Sequence, residues 1–308
     1  MKKLISVSLI LLTFLLAACD PQALATISEQ PEPIEADVPP FVIGAIPDQD
    51  PEILQRRFGL LSDYLSETAG IPVEYKPVTD YAASVTAFRI GDLDMVWFGG
   101  LTGVQARLQV EGAQAIVQRG LDAEFHSVFI ANKSSEIEPF EDLADLAQLA
   151  GRTFTFGSQS STSGRLMPQS FLNQAGVNLT DFAGEPGFSG SHDVTIDLVE
   201  AGSYEVGALN ENVWNARVES GSVDLDKVQV IWRTPAYFDY HWVIRPDVAE
   251  RYGDTFISDI TEAFVNLDVS NPDHKEILDL FNAERFIVTQ NDNYLQIEAV
   301  GREIGQIQ

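Results

Sequence analysis

Positive charge and cysteine are both scarce in this chain of 308 residues. There are 19 Lys and Arg residues against 46 Asp and Glu residues, so the net charge is −27 at pH 7. This excess argues against nucleic acid or an anionic membrane surface as a partner. The single cysteine, Cys19, excludes an internal disulfide bond. The four histidines lie far apart, and no His, Cys and carboxylate cluster has ligand spacing, so we expect neither a metal nor another cofactor.

Long apolar runs are also lacking after the first twenty residues. The chain opens with two lysines and continues apolar from Leu4 to Ala18, which predicts a secretory signal over residues 1–18. Leu16-Ala17-Ala18-Cys19 resembles a bacterial lipoprotein box, which implies cleavage before Cys19 and an extracytoplasmic chain anchored by lipid on Cys19. Residues 19–40 are rich in Pro, Glu, Gln and Ala, and this composition predicts a disordered tether.

From Phe41 onward, strand-like and helix-like runs alternate, and the pattern restarts at a helix-like run over residues 140–151. Such alternation predicts an α/β fold with largely parallel sheets. The two series predict two lobes. We assign residues 41–130 and 240–308 to the first lobe, and residues 131–239 to the second. Ligands of such folds bind beyond the carboxyl ends of strands, beside helix N-termini.

The stretch TFTFGSQSSTSGRLMP, residues 153–168, contains the most informative motif. A predicted strand ends at Gly157, and a predicted helix begins near Ser161–Ser163. Unpaired N–H groups and the helix dipole make such a terminus an anion site, and small residues let an anion approach the backbone. Pro168 predicts either a bend in this helix or a later start.

Other interpretations of these residues are possible. Gly164 is followed by Arg165 rather than Lys, so the stretch is not a P-loop. Plain helix capping by Ser and Thr remains an alternative. GFSGSHD, residues 187–193, repeats the small-residue helix start and adds His192 in its first turn. A hydrolase using Ser161 or Ser189 with His192 would lack an orienting acid and a proper nucleophile elbow.

Four segments together resemble the substrate-binding proteins of phosphonate, phosphite and phosphate ABC importers. They are GAIPDQDPE, YKPVTDYAASVTAFRIGDLDMVWFGG, FGSQSSTSGRLMP and GFSGSHD. The resemblance covers nearly the whole chain after Pro40. It implies the type II periplasmic binding protein fold, in which two lobes close on the ligand and are joined by two crossing segments. HSVFIAN and YHWVIRP fit those crossings. It also implies that the chain is not an enzyme and works as a monomer with a permease and an ATPase.

The resemblance implies roles for particular residues. The hydroxyls and amides of Ser161, Thr162 and Ser163 would hold the oxyanion, with His192 from the next helix start and Tyr81 from the first lobe. The neighbouring Ser160 and Ser191 are further candidates. Members of the family often carry a second Tyr in the helix after the WFG strand, where this chain has Gly103. The missing Tyr side chain either leaves room for a larger substituent on the ligand or is replaced by an aromatic side chain from elsewhere in the chain.

Further candidates follow from this departure and from the ligand's chemistry. Tyr237, Tyr240 and His241 could replace the missing Tyr or simply pack at a crossing. Phe98 could supply an apolar wall for a P–H or P–C face. Asn210 and Glu211 occupy a strand-to-helix turn, and Glu211 could pair with an aminoalkyl group or be an ordinary first-turn acid.

The oxyanion itself remains open at the level of sequence. Relatives of the family have also been described as selenate binders. Sulfate and selenate offer only acceptors and suit a site made wholly of donors, whereas phosphate and phosphonates can keep a proton and need an acceptor nearby. A sensor module that signals to a membrane kinase is a further alternative to transport.

Overall fold

Two open β-sheets, each covered by helices, form the computed structural model of the protein, which describes residues 38–308. The predicted signal peptide, Cys19 and nearly all of the predicted tether lie outside the described residues. We call each sheet with its helices a lobe. No helix within residues 38–308 is both long and apolar enough to cross a membrane.

The first sheet combines strands from both ends of the chain. Its strands are β1 (Phe41–Ala45), β2 (Val73–Tyr75), β3 (Met95–Phe98), β4 (Gln114–Arg119), β10 (His241–Ile244) and β11 (Phe286–Val288), in the order β11-β4-β10-β3-β1-β2. The second sheet contains β5 (Ser127–Asn132), β6 (Phe154–Phe156), β7 (Gly187–Phe188), β8 (Val206–Asn210) and β9 (Val228–Arg233), in the order β7-β6-β8-β5-β9.

The helices alternate with the strands, as the alternating runs of the sequence predict. They are α1 (Pro51–Ala69), α2 (Tyr81–Ile90), α3 (Gly100–Gln109), α4 (Met167–Gln174), α5 (His192–Glu200), α6 (Glu211–Glu219), α7 (Val248–Tyr252), α8 (Phe256–Val265), α9 (Pro272–Leu280) and α10 (Leu295–Ile304). Gly70 ends α1 with a φ of 67°, a conformation that glycine adopts without strain.

One predicted helix is wrong. Residues 140–151 contain only a 3-10 helix, Leu143–Leu149. Just before it, the N–H of Phe140 donates to the carbonyl of Ile231 at 2.9 Å, which ties this segment to the edge strand β9 instead of to a helix.

The sheets are mixed rather than largely parallel. Parallel pairs join β1 to β2 and β3, and β6 to β7 and β8. Strands next to a crossing run the other way: β10 is antiparallel to β3 and β4, and β5 is antiparallel to β8 and β9. A strand that enters its sheet from the opposite lobe arrives with reversed direction, which local sequence patterns do not reveal.

The two crossings meet at a single bridge. Phe125 and Tyr237 exchange both backbone hydrogen bonds, at 2.9 and 3.0 Å. HSVFIAN lies beyond the first crossing, because β5 already pairs within the second sheet from Ser127. The change of sheet therefore comes earlier than the predicted boundary at residue 130.

The second sheet is buried on both faces. Along β5, Val128 and Ile130 pack into one apolar cluster with α5 and α6, while Phe129 and Ala131 pack into the other. This alternation follows from the two-residue period of a strand. Burial on both faces holds the strands of the second sheet in place. The polar loops that follow these strands project from their ends.

Candidate functional site

The loop after β6 folds tightly back on itself. The N–H of Gly157 donates to the carbonyl of Gly164 at 2.8 Å, and a Cβ on Gly157 would lie 3.3 Å from the Gly164 backbone. The Ser161 hydroxyl accepts a hydrogen bond from the Gly164 N–H at 2.9 Å. Two glycines are therefore required for two backbone segments to touch, and Ser161 caps the helix that follows.

Pro168 is accommodated by a change of helix type. Residues Thr162–Leu166 form a π-helical turn, and the N–H of Leu166 donates to the Ser161 carbonyl at 2.9 Å. Regular α4 begins only at Met167, so Pro168 lies in its first turn, where a missing N–H leaves no acceptor unpaired. The helix thus starts where the motif predicted, while its α-helical part starts later.

Several uncharged donors at this turn are buried without partners. Within residues 38–308, the N–H groups of Thr162 and Ser163 donate no hydrogen bond, as is usual for a first turn. The Ser163 and Tyr81 hydroxyls are likewise buried and find no partner among residues 38–308. Burial raises the pKa of Tyr81 well above its usual value, so its hydroxyl stays a neutral donor. Tyr81 lies close to Ser161 and approaches from the first lobe, at the start of α2.

Thr162 connects the two lobes. Its Oγ1 accepts a hydrogen bond of 2.9 Å from the N–H of Leu101, in the first turn of α3. The neighbouring N–H of Gly100 donates to Asp239 Oδ1 at 2.8 Å. A Cβ on Gly99 would lie 3.1 Å from Thr162 Oγ1 and 3.3 Å from Asp239 Oδ1. The N-termini of α3 and of the Thr162 turn therefore face each other at close range.

His192 is the buried first residue of α5, and its ring nitrogens have distinct partners. The N–H of Asn210 points to Nδ1 at 3.4 Å, so Nδ1 is the acceptor and Nε2 carries the hydrogen. Nε2 then donates to the Tyr240 hydroxyl at 3.2 Å, and Tyr240 in turn donates to Asp48 Oδ2 at 2.8 Å. Burial lowers the pKa of His192, which keeps the ring neutral. The expected contact of His192 with an oxyanion stays a prediction.

Two buried carboxylates at the site were missed by the sequence reasoning, Asp48 and Asp239. Burial raises the pKa of Asp239 to about 7. Each residue has one partnered oxygen and one, Asp48 Oδ1 and Asp239 Oδ2, with no partner among residues 38–308. Asp48 closely follows β1, and such a position at a strand's carboxyl end was the available signal.

Comparison with known proteins decides the family. Residues 43–294 match the profile of the family described as "ABC transporter, phosphonate, periplasmic substrate-binding protein". The chain belongs to this family. It is 47% identical over 266 residues, 86% of this chain and 90% of the relative, to "Probable ABC transporter phosphite binding protein PhnD1" of Prochlorococcus marinus strain MIT 9301. It is 26% identical over 219 residues, 70% of this chain and 62% of the relative, to the "Phosphonates-binding periplasmic protein" of Escherichia coli strain K12.

A solved structure of Prochlorococcus marinus PhnD1 in complex with methylphosphonate has the same fold. It superimposes with a TM-score of 0.85 over 87% of this chain and 98% of that chain. The two-lobe periplasmic binding fold and the role of an ABC importer's substrate-binding protein are thereby confirmed. The chain thus shares its architecture with a family member whose structure contains a small phosphonate.

The space beside Gly103 is filled by the ring of His241. A Cβ on Gly103 would lie only 2.3 Å from His241 Nε2. The His241 ring stacks on Tyr294 at 3.7 Å between centroids, and its Nδ1 bonds the carbonyl of Asp239 at 3.0 Å. Of the two outcomes left open by the sequence, the structure therefore has an aromatic from elsewhere in this place.

We expect the replacement of Gly103 by Ala to destabilise the protein. The new Cβ would collide with the His241 ring, which is held by Tyr294 and by the backbone of Asp239. Overpacking of this kind costs about 1–3 kcal/mol of the free energy of unfolding. Chemical denaturation would measure it. The matched control is Gly59→Ala in α1, where a Cβ meets no atom within 4 Å. That change should stabilise the protein by up to about 1 kcal/mol; equal effects of the two substitutions would contradict the steric argument.

Three further candidates from the sequence, Phe98, Tyr237 and Glu211, each contact another residue of the protein. Phe98 is buried on the opposite face of β3 from Trp97 and packs against Phe88. The Tyr237 hydroxyl bonds Ser127 Oγ at 2.6 Å, which agrees with packing at a crossing. Glu211 already has a cationic partner, since Arg233 Nη2 donates to it at 2.8 Å. For each of these three, a contact with ligand remains a prediction.

The remaining serines of the two motifs lie at turns and caps. Ser160 is half-buried on the turn before Ser161, and Ser191 caps α5 by accepting from the Val194 N–H at 3.4 Å. Ser189 Oγ bonds Thr195 Oγ1 at 2.6 Å rather than His192. Within residues 38–308, neither serine of the hydrolase alternative bonds to that histidine, and no three potential metal ligands converge.

Proposed function

We propose that this chain captures a small phosphorus oxyanion, with phosphite and methylphosphonate as the preferred class, and delivers it to an ABC permease. The anion would lie among the N–H groups and hydroxyls of Thr162 and Ser163 and the Tyr81 hydroxyl, next to the N-terminus of α3. Ser161 and His192 would complete its surroundings. The protein would catalyse no reaction on it.

The observation that carries the proposal is the group of buried, unpartnered donors contributed by both lobes. Burying a polar group without a partner costs free energy, so such groups are rare unless a ligand satisfies them. The Ser163 and Tyr81 hydroxyls both lack a partner in the described chain and are at most 2% exposed. Because both donors are uncharged, they can replace the water around an anion and still release it.

A free carboxylate oxygen favours phosphorus over sulfur. Asp239 Oδ2, which has no partner among residues 38–308, is an acceptor that a ligand carrying a P–OH group could satisfy. Sulfate and selenate bring no proton and would place an oxygen against a carboxylate. Because the pKa of Asp239 is about 7, only the protonated fraction of this side chain could donate a hydrogen bond to sulfate or selenate. The selenate and sulfate alternative is therefore the weaker one.

An aromatic wall favours a small ligand. Tyr240 lies between Trp97, at 5.6 Å between ring centroids, and Phe125, at 5.5 Å. Trp97 and Tyr240 line a cavity together with Asp48 and Asn210, and their rings would meet the P–H or P–CH3 group there. The pairing of Glu211 with Arg233 removes one partner for an aminoalkyl group. The names given to the Prochlorococcus relative, phosphite-binding and complexed with methylphosphonate, point the same way.

The anchoring of the protein rests on sequence. The basic start, the apolar run to Ala18 and Cys19 support a lipid-modified protein at the outer face of a bacterial membrane. Mass spectrometry of the protein purified from membranes should find a diacylglyceryl mass on an N-terminal Cys19. An unmodified chain that still begins at Met1 would contradict this part of the proposal.

Calorimetric titration of the purified protein, freed of bound ligand, tests the function. The panel is phosphite, methylphosphonate, phosphate, 2-aminoethylphosphonate, sulfate and selenate. We expect phosphite and methylphosphonate to bind with dissociation constants at least about tenfold lower than those of sulfate and selenate, because each unsatisfied buried acceptor costs more than about 1 kcal/mol. Preference for selenate or sulfate would overturn the ligand class, and no binding at all would overturn the capture function.

A further inference from the structure

The short segment between β1 and α1 docks on the second lobe. The carbonyl of Asp48 accepts a hydrogen bond of 3.1 Å from the N–H of His192. Two residues on, the N–H of Asp50 donates to Asp193 Oδ2 at 3.1 Å, and Asp193 is held by Arg217 at 3.1 Å. The first turn of α5 is thus joined to the first lobe through both its backbone and a side chain.

The side chain of Asp48 makes a second connection to the same histidine. Its Oδ2 accepts the Tyr240 hydroxyl at 2.8 Å. That hydroxyl receives hydrogen bonds from His192 Nε2 and Asn210 Nδ2, both at 3.2 Å. One residue of the first lobe therefore fixes the backbone of His192 directly and its ring through Tyr240.

The position of this carboxylate needs an explanation, because it lies beside a proposed anion site. A buried negative charge next to an anion is unfavourable unless cations compensate it. Arg57 and Arg119 lie near enough to Asp48 to interact with it electrostatically. Arg119, however, is itself paired with Asp122 at 2.6 Å and lies over the Tyr240 ring at 5.2 Å from its centroid. Arg57 is 7% exposed and is anchored through Nε to the carbonyl of Leu280 at 2.7 Å. Such support for a carboxylate whose partner Tyr240 bonds the second lobe points to a role in closure.

We propose that Asp48 is a positioning residue that holds the two lobes closed over the ligand, and this rests on the proposed function. The Asp48 carbonyl accepts a hydrogen bond from the His192 N–H across the lobes, and the Asp48 carboxylate orients the Tyr240 hydroxyl, which bonds His192 and Asn210 of the second lobe. These bonds to the second lobe form on closure. Ligand release must break them, whereas first encounter with the open cleft does not require them. Asp48 therefore sets the dissociation rate and leaves the association rate nearly unchanged.

Stopped-flow kinetics of phosphite binding to the full chain test this proposal. For Asp48→Ala we expect a dissociation rate about ten- to a hundredfold higher, because a charge-assisted hydrogen bond is lost, and an association rate within about twofold of wild type. Asp48→Asn keeps an oxygen that can accept from the Tyr240 hydroxyl, so its dissociation rate should lie between those of wild type and Asp48→Ala. The control is Gln49→Ala in the same segment, whose half-buried side chain makes no hydrogen bond with residues 38–308.

A double-mutant cycle distinguishes a specific contact from general loosening. If Asp48 acts through Tyr240, Tyr240→Phe should also speed dissociation, and its effect should be smaller in the Asp48→Ala background. Fully additive effects, or wild-type dissociation from Asp48→Ala, would overturn the role of Asp48 in closure while leaving the proposed function intact. If the wild-type protein binds none of the panel anions, the proposed function fails and the role of Asp48 fails with it.

Discussion

Replacing Thr162 by Val is expected to raise the dissociation constant for phosphite about tenfold to a hundredfold while leaving the fold intact. Valine has nearly the same shape but cannot accept the Leu101 N–H or offer a hydroxyl to the anion. A buried donor left without its partner costs about 1–3 kcal/mol, and this cost arises only when the lobes are closed. Isothermal titration calorimetry measures the change.

The matched control for this substitution is Thr180→Val. Thr180 lies on the surface of the second lobe, is exposed and makes no side-chain hydrogen bond with the described chain. Its variant should bind phosphite as wild type does, and both variants should unfold at similar denaturant concentrations. Undiminished affinity in Thr162→Val would remove the proposed site from this turn.

Replacing Asp239 by Asn is expected to flatten the pH dependence of stability. The pKa of Asp239 is about 7 in the folded protein and near 3.8 when exposed, so the folded state binds the proton more tightly. Its contribution to the free energy of unfolding is therefore complete below about pH 4 and is lost as the pH rises to about 7, a change of about 4 kcal/mol. Asparagine does not titrate, so the stability of the variant relative to wild type should rise across this range.

Urea denaturation at several pH values between 4 and 8 provides the measurement. The control is Asp63→Asn, on the exposed face of α1, where the side chain makes no hydrogen bond within residues 38–308. That variant should keep the wild-type profile. Parallel profiles for Asp239→Asn and wild type would mean that Asp239 does not titrate in this interval.

Features that depend on short stretches of sequence could be predicted. The helix start at Ser161–Ser163 and the alternation of strands and helices follow from composition and spacing within a few residues. The direction of β5 and β10 could not be predicted, because it depends on where the chain changes lobe. Residues 140–151 have helical spacing, yet a backbone hydrogen bond ties their start to β9.

The contacts of the two site carboxylates could not be predicted for a related reason. Asp48 matters because it meets Tyr240, 192 positions away, and Asp239 because it meets Gly100, 139 positions away. Nothing in GAIPDQDPE or AYFDYHWV indicates these contacts. The filling of the Gly103 position by His241 is similar: the sequence restricted it to two outcomes, and tertiary packing selected one.

The close approach of Gly157 and Gly164 determines at which stage the conformational entropy of this loop is lost. A Gly, Ser and Thr run has many conformers in an unfolded chain, but here a 2.8 Å backbone hydrogen bond and the packing of one glycine backbone against the other hold it in one. Its disorder therefore disappears during folding and not at the moment of capture. The entropic penalty that remains for binding falls on the motion of the lobes and on the anion itself, and the loop contributes as a preorganised surface.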